Sequence, residues 1–459
     1  MLTYDLSQRG ESPLYEYLYR CIREDILSGR LKAGEKLPSK RSLAEHLELS
    51  CMTVESAYSQ LEAEGYVRAA PRRGFFVSRL QELPPAPASP RLPPEEAPQW
   101  KLDLGQTRVD LGHFPVAAWA RLTRAVLAEG GEALLSPLPP QGLPALRKAI
   151  AKDLRDRKGM AVSPEQIVVG AGAEYLYVLL AQLLGRGSVL AVEDPGYPKI
   201  RQVYGACGLR VSPIPLDDQG VPPEALKAAG ARALHLSPSH HYPTGLVTPI
   251  ARRQALLQWA EETGSLIIED DYDSEFRFTG RPLPTLQSID RGSRVIYMNT
   301  FSQTISPAMR LGFMVLPPRL LERYRRELYF YANTVPALEQ HVLARFLDSG
   351  GYGQHLSRMR KEYKARRAQV LSAFRASPFA SRMEIREQGA GLHFLLSLST
   401  CESDEALEER AKQLGVKLRF LSEYAAVSKE TYAHCLVVNY GGLSPQRLPE
   451  AVALLAKLL

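Results

Sequence analysis

The chain of 459 residues has no long apolar run and few cysteines. A helix that crosses a bilayer needs about 18 or more consecutive apolar residues, and no such run occurs. The N-terminal segment lacks a basic start followed by an apolar core, so no secretion signal is predicted. The five cysteines are scattered, which favours reduced thiols over a disulfide framework or a zinc site. These absences predict a cytoplasmic protein with no metal and no membrane span.

A strong charge bias is also absent. The net charge is +7, and residues 1–80 contain 12 Lys and Arg against 11 Asp and Glu. Net charge of this size indicates little about a partner. A prediction of DNA binding therefore depends on where the basic residues lie.

Proline is concentrated in one segment, which divides the chain. Residues 79–100 are rich in proline and lack apolar periodicity, a composition typical of an extended spacer. A chain of this length also exceeds one ordinary core. We therefore expect a small domain over residues 1–78, a linker over 79–100 and a large domain over 101–459.

The small domain has helical patterns followed by a basic hairpin. Ser12, before Pro13, predicts the N-cap of a first helix that ends near Gly29. Two shorter patterns have the length and spacing of a helix-turn-helix, Lys40–Leu47 and Thr53–Glu64. Two strands follow around a basic turn. The sequence therefore predicts a winged helix.

A winged helix inserts the N-terminal end of its second motif helix into the major groove of DNA. The N-terminus of the preceding helix meets phosphate, and wing arginines reach the minor groove or the backbone. The same topology occurs in protein-interaction modules, but the basic wing favours DNA. The predicted DNA-contacting residues are Ser39, Lys40, Arg41, Thr53, Glu55, Ser56, Arg72 and Arg73.

Residues 12–78 resemble the GntR-type winged helix. The runs that carry the resemblance are "GRLKAGEKLPSKRSLAEHLELS" and "TVESAYSQLEAEGY". The resemblance implies a double-stranded DNA operator as partner. One position departs, because that family commonly has Arg directly after the Ser that ends the turn, where this chain has Cys51. The departure removes one expected phosphate or base contact and leaves the expected fold unchanged.

The large domain alternates short apolar strands with helical patterns, which predicts an α/β fold. Runs such as "SVLAVEDPGYP" and "GSLIIEDDYD" place several apolar residues before a polar end. Strands of this kind are buried on both faces in a mostly parallel central sheet with flanking helices. Ligands bind at the carboxyl ends of such strands, where the polar residues of this chain are predicted to lie.

The polar residues at these strand ends suit an aromatic phosphate. Free N–H groups at a helix start, a hydroxyl and a guanidinium would bind phosphate, and a buried carboxylate would pair with a pyridinium nitrogen. Two tyrosines would contact the ring oxygen and the ring face. Each feature alone also fits ordinary packing, a turn or a solvated loop. In that order of roles, the residues are Gly172, Ala173, Ser302, Arg310, Asp270, Tyr272 and Tyr197.

Residues 100–459 resemble the fold-type I aminotransferases, and the whole chain resembles the MocR subfamily of GntR-like regulators. The most specific runs are "SPSHHYPTG", "IIEDDYDSEFRFTG" and "FSQTISPAMRLGF". The resemblance implies pyridoxal 5′-phosphate as cofactor in the site just described, and a smaller C-terminal subdomain. It also implies a head-to-tail homodimer with one winged helix per subunit.

One residue departs from the aminotransferase pattern, at the position that binds the cofactor covalently in that family. Lys in that family follows the Ser and forms the Schiff base, but here the position is Gln303. A carboxamide cannot form an imine or shuttle the proton of transamination. Three interpretations stay open: a regulator that senses the cofactor or an amino compound without covalent capture, a ligand-free scaffold, or a deliberate Lys-to-Gln substitution. The rival function is an aminotransferase with an N-terminal appendage, against which Gln303 argues.

The substrate side of the predicted site has a weaker pattern. Aminotransferases usually hold the substrate carboxylate with a late Arg, and the late strand "CLVVNYGGL" has none. Lys199 and Arg419 are candidates for an anionic effector, although each also suits an ordinary surface position.

Overall fold

The computed structural model describes residues 2–80, 100–105, 111–280, 283–387, 389–427 and 429–458. Most of the linker predicted over 79–100 lies outside the described residues, so this linker stays a prediction. Contacts divide the chain into two compact units, Met1–Glu96 and Ala97–Leu459, and each is described by itself. Within the described residues, no helix has the length and apolarity needed to cross a membrane.

The first unit is a three-helix winged helix with a two-stranded antiparallel wing. Its core is formed by apolar side chains from all three helices and both strands, including Ile22, Leu43, Leu61 and Val77. The strands pair from Val67 opposite Val77 to Ala70 opposite Gly74. Its elements are α1 (Leu14–Leu27), α2 (Lys40–His46), α3 (Cys51–Ala63), β1 (Val67–Ala70) and β2 (Gly74–Val77).

Two helix starts differ from the sequence prediction. Ser12 as N-cap of α1 is wrong, because Pro13 holds the cap position with extended backbone, and Ser12 Oγ instead accepts a hydrogen bond from Arg20. Helix α3 begins before the predicted Thr53, because the Ser50 side chain accepts the Thr53 N–H and caps the helix. A capping serine in the turn therefore sets the start of this helix.

The second unit contains one large sheet, helices on both of its faces and a smaller C-terminal sheet. Its helices are α4 (Val116–Gly130), α5 (Pro144–Lys158), α6 (Ala173–Leu184), α7 (Pro198–Ala206), α8 (Pro223–Ala228), α9 (Ile250–Thr263), α10 (Leu286–Ile289), α11 (Pro318–Glu327), α12 (Ala337–Asp348), α13 (Gly351–Arg375), α14 (Asp404–Gln413) and α15 (Leu448–Leu458). Its strands are β3 (Leu102–Asp103), β4 (Ile167–Gly170), β5 (Val189–Asp194), β6 (Arg210–Pro215), β7 (Ala233–Leu236), β8 (Leu266–Asp270), β9 (Val295–Thr300), β10 (Gly312–Val315), β11 (Met383–Arg386), β12 (His393–Leu398), β13 (Val416–Lys417) and β14 (Cys435–Asn439).

The large sheet has seven strands in the order β4-β10-β9-β8-β7-β5-β6. The strands from β9 to β6 pair in parallel, and β10 is antiparallel to both of its neighbours. The predicted mostly parallel sheet with flanking helices is confirmed. Strand β10 runs backwards because only residues 301–311 join it to β9, and a parallel crossover needs about a dozen or more residues.

The smaller C-terminal subdomain is also confirmed. It has an antiparallel sheet in the order β11-β12-β14, and its core includes side chains from α13, α14 and α15. In the large sheet, β8 and β9 have almost every side chain buried. Because these parallel strands are fixed on both faces, the residues that follow their carboxyl ends are held at one edge of the sheet.

Candidate functional site

A cavity of about 280 Å³ opens at the carboxyl ends of the parallel strands. It is where a ligand is expected in an open α/β sheet. Seven of the eight residues predicted to bind the cofactor line it, and Gly172, the eighth, contacts one of the seven. The seven lining residues are Ala173, Tyr197, Asp270, Tyr272, Ser302, Gln303 and Arg310.

One end of the cavity is built around the start of α6. Gly172 is the N-cap of this helix and has φ 83°, a left-handed conformation that favours glycine. A Cβ atom on Gly172 would lie 2.6 Å from Arg310 Nη2, so the guanidinium packs directly against this glycine. The helix start and Arg310 together form a cradle for an anion.

The cradle already contains one carboxylate. Arg310 Nη2 donates to Glu174 Oε2 at 2.6 Å, and Lys199 Nζ lies 3.4 Å from the same carboxylate. Burial acts to raise the pKa of Glu174, but its hydrogen bonds and the charges of Arg310 and Lys199 together outweigh burial, and the pKa is lowered. Two cations and a helix start therefore face one ionised carboxylate, which leaves positive charge for a ligand.

The opposite end of the cavity contains Asp270, the last residue of β8. Its side chain is 5% exposed. Asp270 Oδ2 accepts a hydrogen bond from the Tyr177 hydroxyl at 2.7 Å and lies 3.3 Å from His235 Nε2. His235 Nδ1 in turn lies 3.1 Å from the Tyr204 hydroxyl. This buried chain of polar groups fixes the orientation of the carboxylate toward the cavity.

Tyrosines form one wall of the cavity. Tyr272 lies two residues beyond Asp270, and burial raises the pKa of its hydroxyl, which therefore stays protonated. Tyr197 is 38% exposed, and its ring meets the ring of Tyr242 edge to face at 6.1 Å. The Tyr242 and Tyr424 hydroxyls lie 2.8 Å apart. The wall offers hydroxyl donors beside aromatic surface.

Gln303 lines the cavity beside Ser302, in the connection between β9 and β10. Lys199 is the only lysine among the described residues that line this cavity, and it pairs with Glu174 at the anion cradle. No described lysine therefore replaces the missing amine near Gln303. The arrangement can bind an anionic aromatic ligand, but Gln303 offers an amide and no nucleophile.

Several cavity residues were not predicted from the sequence. Tyr177 is on the second turn of α6, and its direction depends on how the helix packs. His235 interrupts the apolar run "ALHL", and Glu193 directly precedes Asp194 at the end of β5. Both are polar residues within a buried strand, so the sequence could have identified them as site residues. Burial raises the pKa of Glu193 to about 8. Burial lowers the pKa of His241, which lies 3.5 Å from Glu193, to about 3.

The two candidate effector cations lie together. Lys199 and Arg419 line a neighbouring cavity of about 350 Å³, which shares Tyr197, Lys199 and Tyr242 with the first. Each cation already has a carboxylate partner, since Arg419 Nη1 lies 2.6 Å from Glu423 Oε2. An effector anion at this position would therefore compete with existing ion pairs.

The predicted DNA-contacting residues lie at three places in the first unit. Ser39 caps α2, and Lys40 Nζ reaches from α2 to Glu55 Oε1 on α3 at 2.6 Å. Thr53 and Ser56 follow the start of α3. Arg72 and Arg73 lie exposed in the wing turn, where Arg72 has φ 61°. Ser56, Arg72 and Arg73 are therefore exposed, whereas Lys40 is paired with Glu55.

Two family models match the chain. The model for the bacterial regulatory proteins of the gntR family matches residues 14–77, and the model for aminotransferase class I and II matches residues 97–453. In structure, the chain is similar to the kynurenine aminotransferase of Pyrococcus horikoshii, with 24% identity and a TM-score of 0.68. That match covers 78% of this chain and 90% of the aminotransferase chain, and it shows the fold.

Curated relatives share both halves of the chain. The "Probable rhizopine catabolism regulatory protein MocR" of Rhizobium meliloti is 31% identical, with 97% of this chain and 94% of that protein covered. The pyridoxine biosynthesis regulator PdxR of Corynebacterium glutamicum is 36% identical, with 82% and 81% covered. The uncharacterized HTH-type regulator YdeL of Bacillus subtilis is 38% identical, with 90% of each covered. With a GntR winged helix joined to an aminotransferase class I and II domain, the chain belongs to the MocR subfamily of GntR-type regulators.

Proposed function

We propose that this chain is a DNA-binding transcription regulator whose aminotransferase-like domain binds pyridoxal 5′-phosphate or a related amino compound without covalent attachment. The observation that carries the proposal is Gln303, which lines a cavity that otherwise has the donors and the carboxylate of a cofactor site. The protein is proposed not to be an aminotransferase, because Gln303 stands where the Schiff-base lysine is expected, and the lysine that lines the cavity, Lys199, is paired with Glu174.

The residues of the cavity fit the cofactor. The start of α6, Ser302 and Arg310 would hold the phosphate, and the close approach of the Arg310 guanidinium to Gly172 at this helix start supports the assignment. Asp270 would face the pyridine nitrogen, and Tyr272 the ring hydroxyl. When bound, the cofactor supplies an aldehyde that reacts with amines. Gln303 has no part in that reaction and acts only as a hydrogen-bonding group.

The DNA-binding half of the proposal rests on the winged helix. A ligand in the second unit would regulate DNA binding if it favoured one arrangement of two winged heads over another. We propose a homodimer for this reason. Exposed aromatic residues on the second unit, Tyr329 and Phe330 at 67% and 65% exposure, are consistent with a subunit interface. Because such a regulator must reach the DNA, we also propose a cytoplasmic location.

Titration of pyridoxal 5′-phosphate into the wild type and into Gln303→Lys tests the ligand half of the proposal. We expect both proteins to bind the cofactor. Only the variant should gain the mass of the cofactor after borohydride reduction, because only a lysine amine forms a reducible bond. Arg326→Lys adds an exposed lysine elsewhere and is the matched control.

Two outcomes of this titration would count against the proposal. Binding by neither protein would mean that the domain is a scaffold without a cofactor. A reduced adduct on the wild type would mean that another lysine takes the place of the missing one. Sustained transamination by the wild type would support the enzyme alternative instead.

Salt-dependent DNA binding tests the regulator half. We expect the protein to prefer DNA from upstream of its own gene over random DNA. Replacing both Arg72 and Arg73 with Ala should reduce the slope of log affinity against log salt by about 2, because each lost phosphate contact removes about 0.9. An unchanged slope would mean that the wing does not contact the DNA phosphates. Equal affinity for both DNAs would contradict an operator-binding function.

A further inference from the structure

The anion cradle in the proposed cofactor cavity is already occupied by a carboxylate of the same helix. Glu174 is the second residue of α6, and its carboxylate lies close to its own backbone N–H at the helix start. The same carboxylate accepts a hydrogen bond from Arg310 Nη2 at 2.6 Å. The N–H groups of a helix start and a guanidinium are also the donors that bind a phosphate. Glu174 therefore uses the donors that a phosphate group needs.

The charges in the cradle disfavour a second anion beside Glu174. Each oxygen of its carboxylate faces one cation, since Oε2 pairs with Arg310 Nη2 and Oε1 lies 3.4 Å from Lys199 Nζ. A phosphate monoester carries a charge of about −2 near neutral pH. Phosphate and Glu174 together would place about three negative charges against these two cations, and the like charges would repel. Without the charge of Glu174, the phosphate would match the two cations.

Glu174 is placed so that its side chain can leave the cradle. The Glu174 side chain is 36% exposed and the Arg310 side chain is 49% exposed, so water can solvate both charges after they separate. An exposed ion pair of this kind is weak. Lys199, on the neighbouring helix α7, offers the released carboxylate a second cation. The cradle therefore has a closed arrangement, with Glu174 on Arg310, and an open one, with Glu174 turned toward Lys199 and solvent.

We propose that Glu174 is an internal competitor for the phosphate group, and that it lowers the affinity of the cavity for phosphorylated ligands. This inference rests on the proposed function, which assigns the phosphate to the cradle. Gln303 removes covalent attachment and Glu174 weakens the phosphate contact, so both residues favour release of the ligand. A sensor needs such release, because it must respond when the ligand concentration falls.

The size of the effect follows from the fraction of molecules with an open cradle. The apparent affinity of a site is reduced by the fraction of molecules that are competent to bind. With the cradle open in about a tenth of the molecules, a phosphorylated ligand binds about tenfold more weakly than it would without competition. A ligand that has no phosphate does not need the cradle, and its affinity is unaffected. Glu174 therefore sets how strongly the cavity prefers phosphorylated compounds.

A purely structural role for Glu174 predicts the opposite result. An acidic residue in the first turn stabilises a helix, and its ion pair would hold Arg310 where the phosphate needs it. Removal of the Glu174 charge would then weaken phosphate binding, whereas removal of a competitor strengthens it. The sign of the change in affinity separates the two roles.

Glu174→Gln in the full-length protein tests the proposal, because glutamine keeps the size of the side chain and removes its charge. We expect this variant to bind pyridoxal 5′-phosphate at least about tenfold more tightly than the wild type, as measured by absorbance titration. Its affinity for pyridoxal should stay that of the wild type. Glu224→Gln is the matched control, because Glu224 is the exposed second residue of α8 and does not line the cavity.

Two results of these titrations would overturn the proposal. One is unchanged or weaker binding of pyridoxal 5′-phosphate by Glu174→Gln. The other is an equal gain for pyridoxal, which would mean that Glu174 acts elsewhere in the cavity. Glu174→Ala also removes the amide that can accept from Arg310, so it should gain at least as much affinity. This second variant tests the proposal even if Glu174→Gln does not fold, and urea unfolding shows whether each variant is folded.

Inorganic phosphate separates this proposal from the proposed function. Calorimetric titration should show at least about tenfold tighter phosphate binding by Glu174→Gln than by the wild type. Addition of Arg310→Gln to this variant should remove the gain, and a gain that survives would overturn the proposal. A phosphate gain without any binding of pyridoxal 5′-phosphate would count against the proposed function alone. Equal phosphate and cofactor affinities in the wild type and Glu174→Gln would count against the role of Glu174 alone.

Discussion

The two ends of the proposed cofactor cavity, the ring end at Asp270 and the phosphate end at Arg310, are built differently. At the ring end, Asp270 is 5% exposed and is held by Tyr177 and His235. At the phosphate end, the Arg310 side chain is 49% exposed and pairs with Glu174. A buried charge depends on its few partners, whereas an exposed one is also stabilised by water and screened by salt. The difference indicates that the ring end contributes more to affinity and the phosphate end more to the choice of ligand.

The largest expected effect is at the ring end. Asp270→Asn should weaken pyridoxal phosphate binding about 100-fold, or about 2.7 kcal/mol, because a charge-assisted hydrogen bond in a buried position is lost. Absorbance titration measures the affinity, and the exposed variant Asp218→Asn is the control. The free variant should unfold no more easily than the wild type, since it no longer buries a charge. A change below threefold would mean that Asp270 does not face the ligand.

A smaller and more selective effect is expected at the phosphate end. Arg310→Gln should weaken pyridoxal phosphate binding about tenfold, because one exposed cation contributes about 1.4 kcal/mol. It should leave the affinity for pyridoxal, which has no phosphate, unchanged. Competition titrations with the two compounds measure this difference, and Arg326→Gln is the control. An equal loss of affinity for both compounds would mean that Arg310 does not act through the phosphate.

The smallest effect concerns the pH dependence of stability. Glu193 has its pKa raised to about 8 by burial, from an ordinary value near 4.5. Between these values the folded state keeps a proton that the unfolded state has lost, so stability falls as pH rises. His241 acts in the opposite direction, because its proton is lost near pH 6.5 only in the unfolded state, and its effect cancels when the wild type is compared with a Glu193 variant.

The matching experiment uses Glu193→Gln. From pH 6.5 to 7.5, the free energy of unfolding of the ligand-free wild type should fall relative to this variant by about 1 kcal/mol per pH unit. Urea unfolding at each pH measures the difference. Parallel pH profiles for the two proteins would mean that Glu193 titrates near its ordinary value.

Much of the fold could be predicted because the strands have a clear sequence pattern. An apolar run that ends in polar residues identified β5 and β8, and the parallel order followed from the helices between them. The reversal of β10 could not be predicted from periodicity, since an apolar strand looks the same in either direction. Ser12 was a plausible cap, but backbone conformation at Pro13 decided the helix start. Local sequence patterns therefore predict which helices and strands form better than they predict where a helix begins or in which direction a strand runs.

The candidate site also contains residues that could be predicted from the sequence and residues that could not. Residues that follow a strand, such as Asp270 and Tyr272, could be predicted because the strand end fixes their place. Tyr177 could not, because the packing of α6 against the sheet decides which helix face meets Asp270. Side chains that act through tertiary contacts need the fold before they can be recognised.

The short spacing between Asp270 and Tyr272 has a consequence for how this protein can change over generations. Asp270 ends β8 and Tyr272 lies two residues beyond it, and both line the same cavity. An insertion or deletion between them would move Tyr272 out of its place while Asp270 stayed bonded to Tyr177. We therefore expect natural variants of this segment to differ in residue type and to keep its length.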